Sequence, residues 1–593
     1  MLSRSTTGPG RGRRRGRPAP GRRWIDRPAA VAVVLGVAGF GYRLVLLLAT
    51  VPGSNSDEAT FGLVAMHIAE GRHFPIFLYG QRYMGTVESY LAAPLFAVAG
   101  AGWVTLRLPL LVLWAAFVVL TYRLTRRAFS PWLATFTVGL LALGSERVIR
   151  DQLTAVGGRP EVKPAIILLL LAALGLGERR IRHRSLTYAV FGLVTGLVLW
   201  DDWLAVPYLT VAVLALLVAA GREVVGRAGV LLTGGFLVGL LPLLADNLRA
   251  PPGHDSWSVF RELSNGVSAP ATLGQRLHGT VEVGIPLATG LCPPDRCVPT
   301  QVWWGLAYPV LLGAATVLAL VDLRRSRTGR VVTAVRLALV CGAALTLVGY
   351  VRNDLAGTAP VATARYLSML QISLPVVLWP LWRATARLAP IDLPGQRPDR
   401  AAGPRAGPRA AGAREAGARG PGARGAGQGG TGQDGTGTRS ARPRFGALLA
   451  GLPAAALAAL VVGMLWGSVD LVRRADPMRA EEGEARALAA AIDRAGIRHV
   501  YAEYWTCNRL VFNTRERVVC AVLGPDLRPG QDRYGAYRAR VAAAADPAYV
   551  FVADGPADRA FRDRLRRRQT IPAVSAIGSY RIYRPTAGVR PWR

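Results

Sequence analysis

Apolar runs recur along the chain, each close to the roughly 20 residues that carry a helix across a bilayer, and they alternate with short loops rich in arginine or in acid. Candidate spans are 29–51, 103–123, 131–149, 164–177, 185–200, 203–220, 228–246, 303–322, 331–351, 366–383 and 446–469. The run 164–177 is short and draws on its Leu- and Ala-containing flanks, while 87–100 is too short to cross and reads as an interfacial or re-entrant helix. The pattern predicts a polytopic α-helical membrane protein of about eleven spans.

Beyond residue 470 the pattern changes to that of a water-soluble domain. An amphipathic helix is predicted over 478–495, strands over 498–503, 517–523 and 549–553, a helix over 535–545, and a last strand or hairpin over 573–584. Strands alternating with helices predict a small α/β domain. It holds no glycine-rich phosphate loop, so a nucleotide site there has no support. Between the two regions, 390–444 is Gly, Ala, Pro and Arg with almost no large apolar side chain, too little to offset chain entropy. The predicted organisation is a basic tail 1–28, a membrane domain 29–389 with a long outer loop 52–102, a disordered linker 390–444, a last span 445–470 and the α/β domain 471–593.

Charge orients these elements. The chain has 593 residues, 51% hydrophobic, and a formal net charge of +35. In a soluble protein that charge would suggest nucleic acid, but here the arginines sit in one set of loops and in the linker, and no aromatics interleave with them. Positive loops stay in the cytoplasm. The basic N-terminus, Arg123, Arg126 and Arg127, then Arg179, Arg180, Arg182 and Arg184, then Arg324, Arg325, Arg327 and Arg330 all fall on that inner side. Asp57, Glu58, Glu88, Glu146, Glu161, Asp201, Asp202 and Asp246 fall outside, as does the C-terminal domain. A multi-pass plasma-membrane protein with a cytoplasmic N-terminus and an extracellular α/β domain is expected. The first run exceeds a signal h-region and more spans follow, so it reads as an uncleaved helix.

Four of five cysteines lie in predicted outer regions: Cys292 and Cys297 in the loop 247–302, Cys507 and Cys520 in the α/β domain. Oxidising surroundings make two disulfides plausible; the competing reading, zinc, lacks a second ligand pair. Cys341 falls inside a span, as a packed small residue. Arg43 also falls inside one, where it either snorkels or faces a polar cavity.

The sharpest chemistry lies directly after the first span, in Ser54-Asn55-Ser56-Asp57-Glu58. Ser54 and Asp57 loosely match a capping box, and acids suit a first helical turn, so both carboxylates have a purely local explanation. The helix would run from about Asp57 to Glu70, its Phe61, Val64 and Ile68 face lying on the membrane surface. The same placement suits a general base that takes a proton from a hydroxyl. The helix dipole favours ionisation and the neighbouring acid opposes it. The cluster Tyr501, Tyr504 and Trp505 reads as domain core, with sugar stacking as the alternative.

With Tyr79-Gly80-Gln81, Tyr83-Met84-Gly85 and Glu88 following, this loop resembles that of GT-C class membrane glycosyltransferases, above all bacterial family 39 relatives of protein O-mannosyltransferases and the aminoarabinose transferases. The resemblance covers 29 to about 390. It implies transfer of a sugar, in a hexosyl- or mannosyltransferase-like reaction, from a polyprenyl-phosphate carrier to an extracytoplasmic glycan, lipid or protein acceptor. Asp57 would be the base, with Glu58 and Glu88 orienting donor or acceptor. Ser89 stands where aminoarabinose transferases often carry lysine, against that donor. Arg365-Tyr366 resembles the family's phosphate-facing Arg-Tyr, with Arg159 and Arg43 as further phosphate-binding cations; a guanidinium holds phosphate in a bidentate fork. Arg365 as an interfacial anchor, and Gly157-Gly158 with Arg159 and Glu161 as a plain turn, are the local alternatives. No cofactor is expected, Asp201-Asp202 being the one candidate divalent-cation pair and the flanking Trp200 and Trp203 equally an aromatic belt. A transporter of lipid-linked intermediates is the different class, disfavoured because the acids gather at one face and no internal repeat is visible; an inactive sugar-binding scaffold is the third.

Overall fold

The computed structural model describes residues 26–265, 270–293, 297–388 and 444–585. In chain order the first half gives α1 (Arg27–Leu48), α2 (Ser56–Ala69), a hairpin of β1 (Phe77–Leu78) and β2 (Gln81–Gly85), α3 (Val87–Ala99), α4 (Trp103–Ala128), α5 (Pro131–Ala142), α6 (Glu146–Leu153), α7 (Arg159–Gly177), α8 (Arg184–Asp201), α9 (Val206–Val224) and α10 (Arg227–Arg249). Among the described residues nine helices are long and apolar enough to cross a membrane, the later ones being Pro299–Arg324, Arg330–Val351, Pro360–Ala386 and Gly451–Arg473. Two further runs complete the predicted set. α8 packs on α10 through facing glycines: a Cβ on Gly192 or Gly196 would lie 1.9 or 2.3 Å from the carbonyl oxygens of Leu232 and Phe236. Close backbone approach of this kind is what small residues permit between membrane helices.

The other run departs from expectation. The predicted straight span 131–149 is broken at Leu143-Gly144-Ser145, and α6 turns 91° from α5. A break inside the membrane strands backbone carbonyls, which must find donors in the protein. Arg43 supplies them. Fully buried, it donates from Nη1 to the carbonyls of Gly39 (3.3 Å) and Ala142 (2.8 Å), from Nη2 to those of Leu141 (3.0 Å) and Leu143 (3.3 Å), and from both Nε and Nη2 to Gln152 Oε1 (2.9 and 2.7 Å). The Trp114 ring lies 4.1 Å beneath its guanidinium.

The outer helix α2 also differs from expectation, in both cap and surroundings. Asn55, not Ser54, caps it, accepting from Glu58 N (2.9 Å), while Ser54 Oγ donates to Glu482 Oε2 (2.6 Å). It does not lie on the membrane surface. Phe61 and Val64 are buried in a core shared with Leu510, Val511 and Phe512 of the α/β domain, and a Cβ on Gly62 would meet the Phe512 ring at 2.5 Å.

Among the described residues, those up to Trp379 and from Leu460 onward form one compact unit, so the α/β domain belongs with the membrane helices. Its strands β3 (His499–Glu503), β4 (Val519–Leu523), β5 (Ala548–Val552), β6 (Ala573–Ile577) and β7 (Tyr580–Arg584) form one sheet of order β4-β3-β5-β7-β6. β3 pairs in parallel with β4 and β5, and the closing hairpin is antiparallel. Helices Tyr504–Asn513 and Pro556–Arg567 lie outside the predicted elements. Tyr501 is core, stacked on Tyr549 at 5.2 Å, whereas Trp505 is 61% exposed. Both disulfides form, Cys292–Cys297 and Cys507–Cys520, and Cys341 faces outward from its helix. The linker prediction 390–444 and most of the basic tail 1–28 lie outside the described residues.

A polar latch joins α2 to this domain. His67 binds the Tyr79 hydroxyl through Nδ1 (2.6 Å) and Glu516 Oε1 through Nε2 (2.9 Å), and Glu516 also accepts from Tyr537 (2.6 Å) and Arg72. Burial alone would raise Glu516, but these bonds outweigh it and hold the carboxyl at about 2. A glutamate depressed from 4.5 stabilises the fold fully above 4.5 and loses that contribution as pH falls toward about 2. The gap in thermal stability between wild type and Glu516→Gln is therefore expected to be constant above that range and to close on acidification through it; a gap unchanged between pH 5 and pH 2.5 would show that the latch carries no such linkage.

Candidate active site

The first turn of α2 sends its two acids in different directions, because consecutive residues on a helix lie about 100° apart. Glu58 turns inward. Fully buried, it makes a bidentate pair with Arg107 of α4, Nε to Oε1 and Nη2 to Oε2 at 2.7 Å each, and Arg107 Nη1 donates to the Pro52 carbonyl (2.9 Å). That geometry leaves Glu58 no access to a substrate and corrects its assignment as a site residue. Asp57 turns the other way, its side chain 30% exposed. Its Oδ1 accepts from the Tyr504 hydroxyl and from Arg533 Nη2 (2.8 Å), both from the α/β domain, and Arg533 Nε donates to Tyr504 (2.8 Å). Burial pushes the Tyr504 hydroxyl well above its usual range, so it stays a donor. Both bonds fall on Oδ1, leaving Oδ2 without one among the described residues.

Asp57 borders a cavity of about 500 Å³. Its walls come from the start of α2, β2, the break-borne α6, the first turn of α7, the 201–204 corner, helix Ser256–Asn265, residues 353–366, and Trp505, Gln531 and Arg533 of the α/β domain. The cations on it are Arg147, Arg150, Arg159, Arg365 and Arg533, against Asp57, Asp151, Asp201 and Asp202. Several of these guanidinium groups are incompletely paired: Nε of Arg147, Arg159 and Arg365 and Nη1 of Arg533 are buried with no hydrogen-bond partner among the described residues. Buried donors of this kind cost stability unless an acceptor comes to them. These donors suit an anion.

The predicted phosphate-side residues separate. Arg365 and Tyr366 line the cavity, the guanidinium 5.3 Å from the Tyr366 ring centre. Arg159 lines it too, 3.5 Å from Asp151. Arg43 does not: its donors are spent on the α5 break, which corrects its assignment as a phosphate ligand.

Glu88 is likewise buried rather than facing the cavity, and accepts from the backbone N–H groups of Val156 (3.4 Å) and Gly157 (3.1 Å). Burial, reinforced by Glu161, raises its carboxyl well above the usual glutamate value. It acts on the loop before α7, where Gly157 and Gly158 both take positive φ (+78° and +73°) and a Cβ would strike Met84 at 2.4 Å and Asp202 at 2.3 Å. The turn reading of Gly157-Gly158 thus holds, and it delivers Arg159 to the cavity wall. Ser89 is buried and donates to the Phe61 carbonyl (2.8 Å). Asp202 caps the next turn through Leu204 N (2.9 Å), and burial lifts its carboxyl to about 6. Among the described residues no three His, Cys, Asp or Glu side chains are grouped to hold a metal ion.

Sequence reasoning missed Arg147 because it ran the span 131–149 through it, and Arg150 and Asp151 because they fell directly past the end of that span. The signal was present in Glu146-Arg147-x-x-Arg150-Asp151, too charged for a helix in lipid. Arg533 and Gln531 were missed for another reason: they come from a loop of a separate domain, and nothing local marks them.

No family model matches the sequence, and no curated protein does. Solved structures do match. ArnT from Cupriavidus metallidurans bound to undecaprenyl phosphate aligns at TM-score 0.56 and 12% identity over 93% of this chain and 97% of that one. The apo form of ArnT aligns at 0.55 and 13%, over 94% and 98%. At such identity the likeness is one of fold, and it extends through the α/β domain as well as the helices. The chain has a GT-C-like architecture, a polytopic helical membrane protein carrying a small C-terminal α/β domain.

Proposed function

We propose that this protein is a GT-C membrane glycosyltransferase that moves a sugar from a polyprenyl-phosphate carrier to an acceptor hydroxyl outside the cytoplasm. The observation that carries the reading is the part-exposed Asp57 carboxylate on the wall of a cavity whose incompletely paired groups include buried arginine donors. The fold shared with ArnT, which in one structure is bound to undecaprenyl phosphate, supports the carrier class. The positive-inside pattern supports a plasma-membrane protein with the cavity on the outer face.

In the proposed step the acceptor O–H attacks the anomeric carbon as its proton passes to Asp57 Oδ2, and the bond from that carbon to the phosphate oxygen breaks with its electron pair going to phosphate. Inversion follows from one displacement. Arg365 and Arg159 take the charge of the leaving phosphate, and Arg533 links the two ends, holding Oδ1 through Nη2 (2.8 Å) while its Nη1 is free for phosphate. The phosphate leaves as a stable anion, so neither a second acid nor a resident metal is required.

Membranes carrying Asp57→Asn, assayed with labelled polyprenyl-phosphate hexose, are expected to lose about 10²- to 10⁴-fold in kcat with donor binding retained; transfer at the wild-type rate would remove Asp57 as base. Arg365→Gln should lower kcat/KM for the donor about 10- to 100-fold, the worth of a charged hydrogen bond. Glu58→Gln should act differently, lowering thermal stability by about 3–5 kcal/mol through the uncompensated Arg107. If Glu58→Gln instead left stability intact and abolished chemistry, the division of labour between the two acids would be wrong.

A further inference from the structure

At the end of α4 away from the Asp57 cavity, two apolar grooves run along neighbouring faces of the helix. One, about 1060 Å³, lies between α4 and α1 and includes Val37 and Phe40; the other, about 410 Å³, lies between α4, α7 and α8. Both reach the same two side chains, Arg123 and Arg127, which stand i, i+4 on the last turns of α4 and so share a face. The surroundings leave that pair uncommitted. Arg126 is taken by Asp26 (2.7 Å), and Glu178, the acid on the larger groove, lies 3.1 Å from Arg180. Arg123 and Arg127 make no ion pair among the described residues and are exposed.

We propose that this junction binds one anionic phospholipid of the surrounding leaflet, its phosphate on Arg123 and Arg127 and its two acyl chains in the two grooves that flank this pair. The match is between shapes and charges on both sides. Two apolar channels meeting at a pair of cations have the form of a two-chain lipid with a negative head, and guanidinium groups hold phosphate in a bidentate fork. A zwitterionic head brings its own ammonium against the arginines. The sugar carrier is a different ligand: its phosphate belongs beside Asp57, and Arg107, which pairs with the neighbouring Glu58, lies 16 residues before Arg123, about 24 Å along the helix. The lipid site therefore stands independently of the transferase reading.

The test is native mass spectrometry of the full-length protein released from detergent, titrated with phosphatidylglycerol or phosphatidylcholine. The expected result is one retained phosphatidylglycerol and no retained phosphatidylcholine. Arg123→Gln with Arg127→Gln should weaken that binding about tenfold or more, and Val37→Trp, which fills the larger groove and keeps both arginines, should weaken it as well. Arg324→Gln with Arg325→Gln, which removes two cations from another inner loop, should leave it unchanged, and circular dichroism reports whether each variant is folded. Equal loss in the Arg324/Arg325 variant would overturn the site in favour of diffuse surface charge. Equal retention of phosphatidylcholine, or displacement by a polyprenyl phosphate at equal concentration, would overturn the assigned ligand.

Discussion

The Glu58–Arg107 pair is the constraint on which the site's geometry rests. Both side chains are fully buried, and neither can be left alone in low dielectric without a penalty of several kcal/mol. Satisfying the pair fixes the start of α2 against α4 at a set rotation. Because α2 advances about 100° per residue, that rotation leaves Asp57 only one direction, toward the cavity. The regular geometry of a helix thus makes one carboxylate structural and turns its neighbour to the cavity. Asn55 strengthens the choice, since its cap on Glu58 N sets where the helix begins.

Arg43 performs a second, parallel task within the membrane. Its bonds to the carbonyls of Leu141, Ala142 and Leu143 make the break after α5 tolerable in a place where water cannot serve. The break in turn carries α6 sideways, and α6 brings Arg147, Arg150 and Asp151 to the cavity. An arginine that looks like a phosphate ligand in sequence thereby positions cavity-lining charges elsewhere. A straight span 131–149 would have placed Glu146 and Arg147 in lipid.

Much of this was legible from sequence, and what was not has identifiable reasons. Apolar length and arginine asymmetry mark the helices because bilayer thickness and backbone satisfaction act on each segment separately. Asp57, Arg159, Arg365 and Tyr366 stood out as polar groups beside spans, and all four border one cavity. The distinction between Asp57 and Glu58 was not available, since it depends on Arg107, 49 residues away in the chain. Nor was the fate of the α2 apolar face: Phe61 and Val64 have the spacing of a membrane-surface helix, and only the presence of Phe512 turns that face into a domain interface.

The α/β domain therefore does more than cover the bundle. Its helix Tyr504–Asn513 packs on α2 through Phe512 and, at its first residue, places the Tyr504 hydroxyl on Asp57. The loop before Gly535 adds Arg533 to the same oxygen. Packing and chemistry thus share one element: the apolar side of the Tyr504–Asn513 helix buries Gly62 and Phe61, and its N-terminal end holds the carboxylate one turn earlier on α2. A shift of that helix large enough to open the Phe512 contact would also move both donors off Asp57. Stability at the interface and the orientation of Asp57 are for this reason a single property, and Glu516, which ties the same domain to His67 and Arg72, belongs to it although it lies outside the cavity.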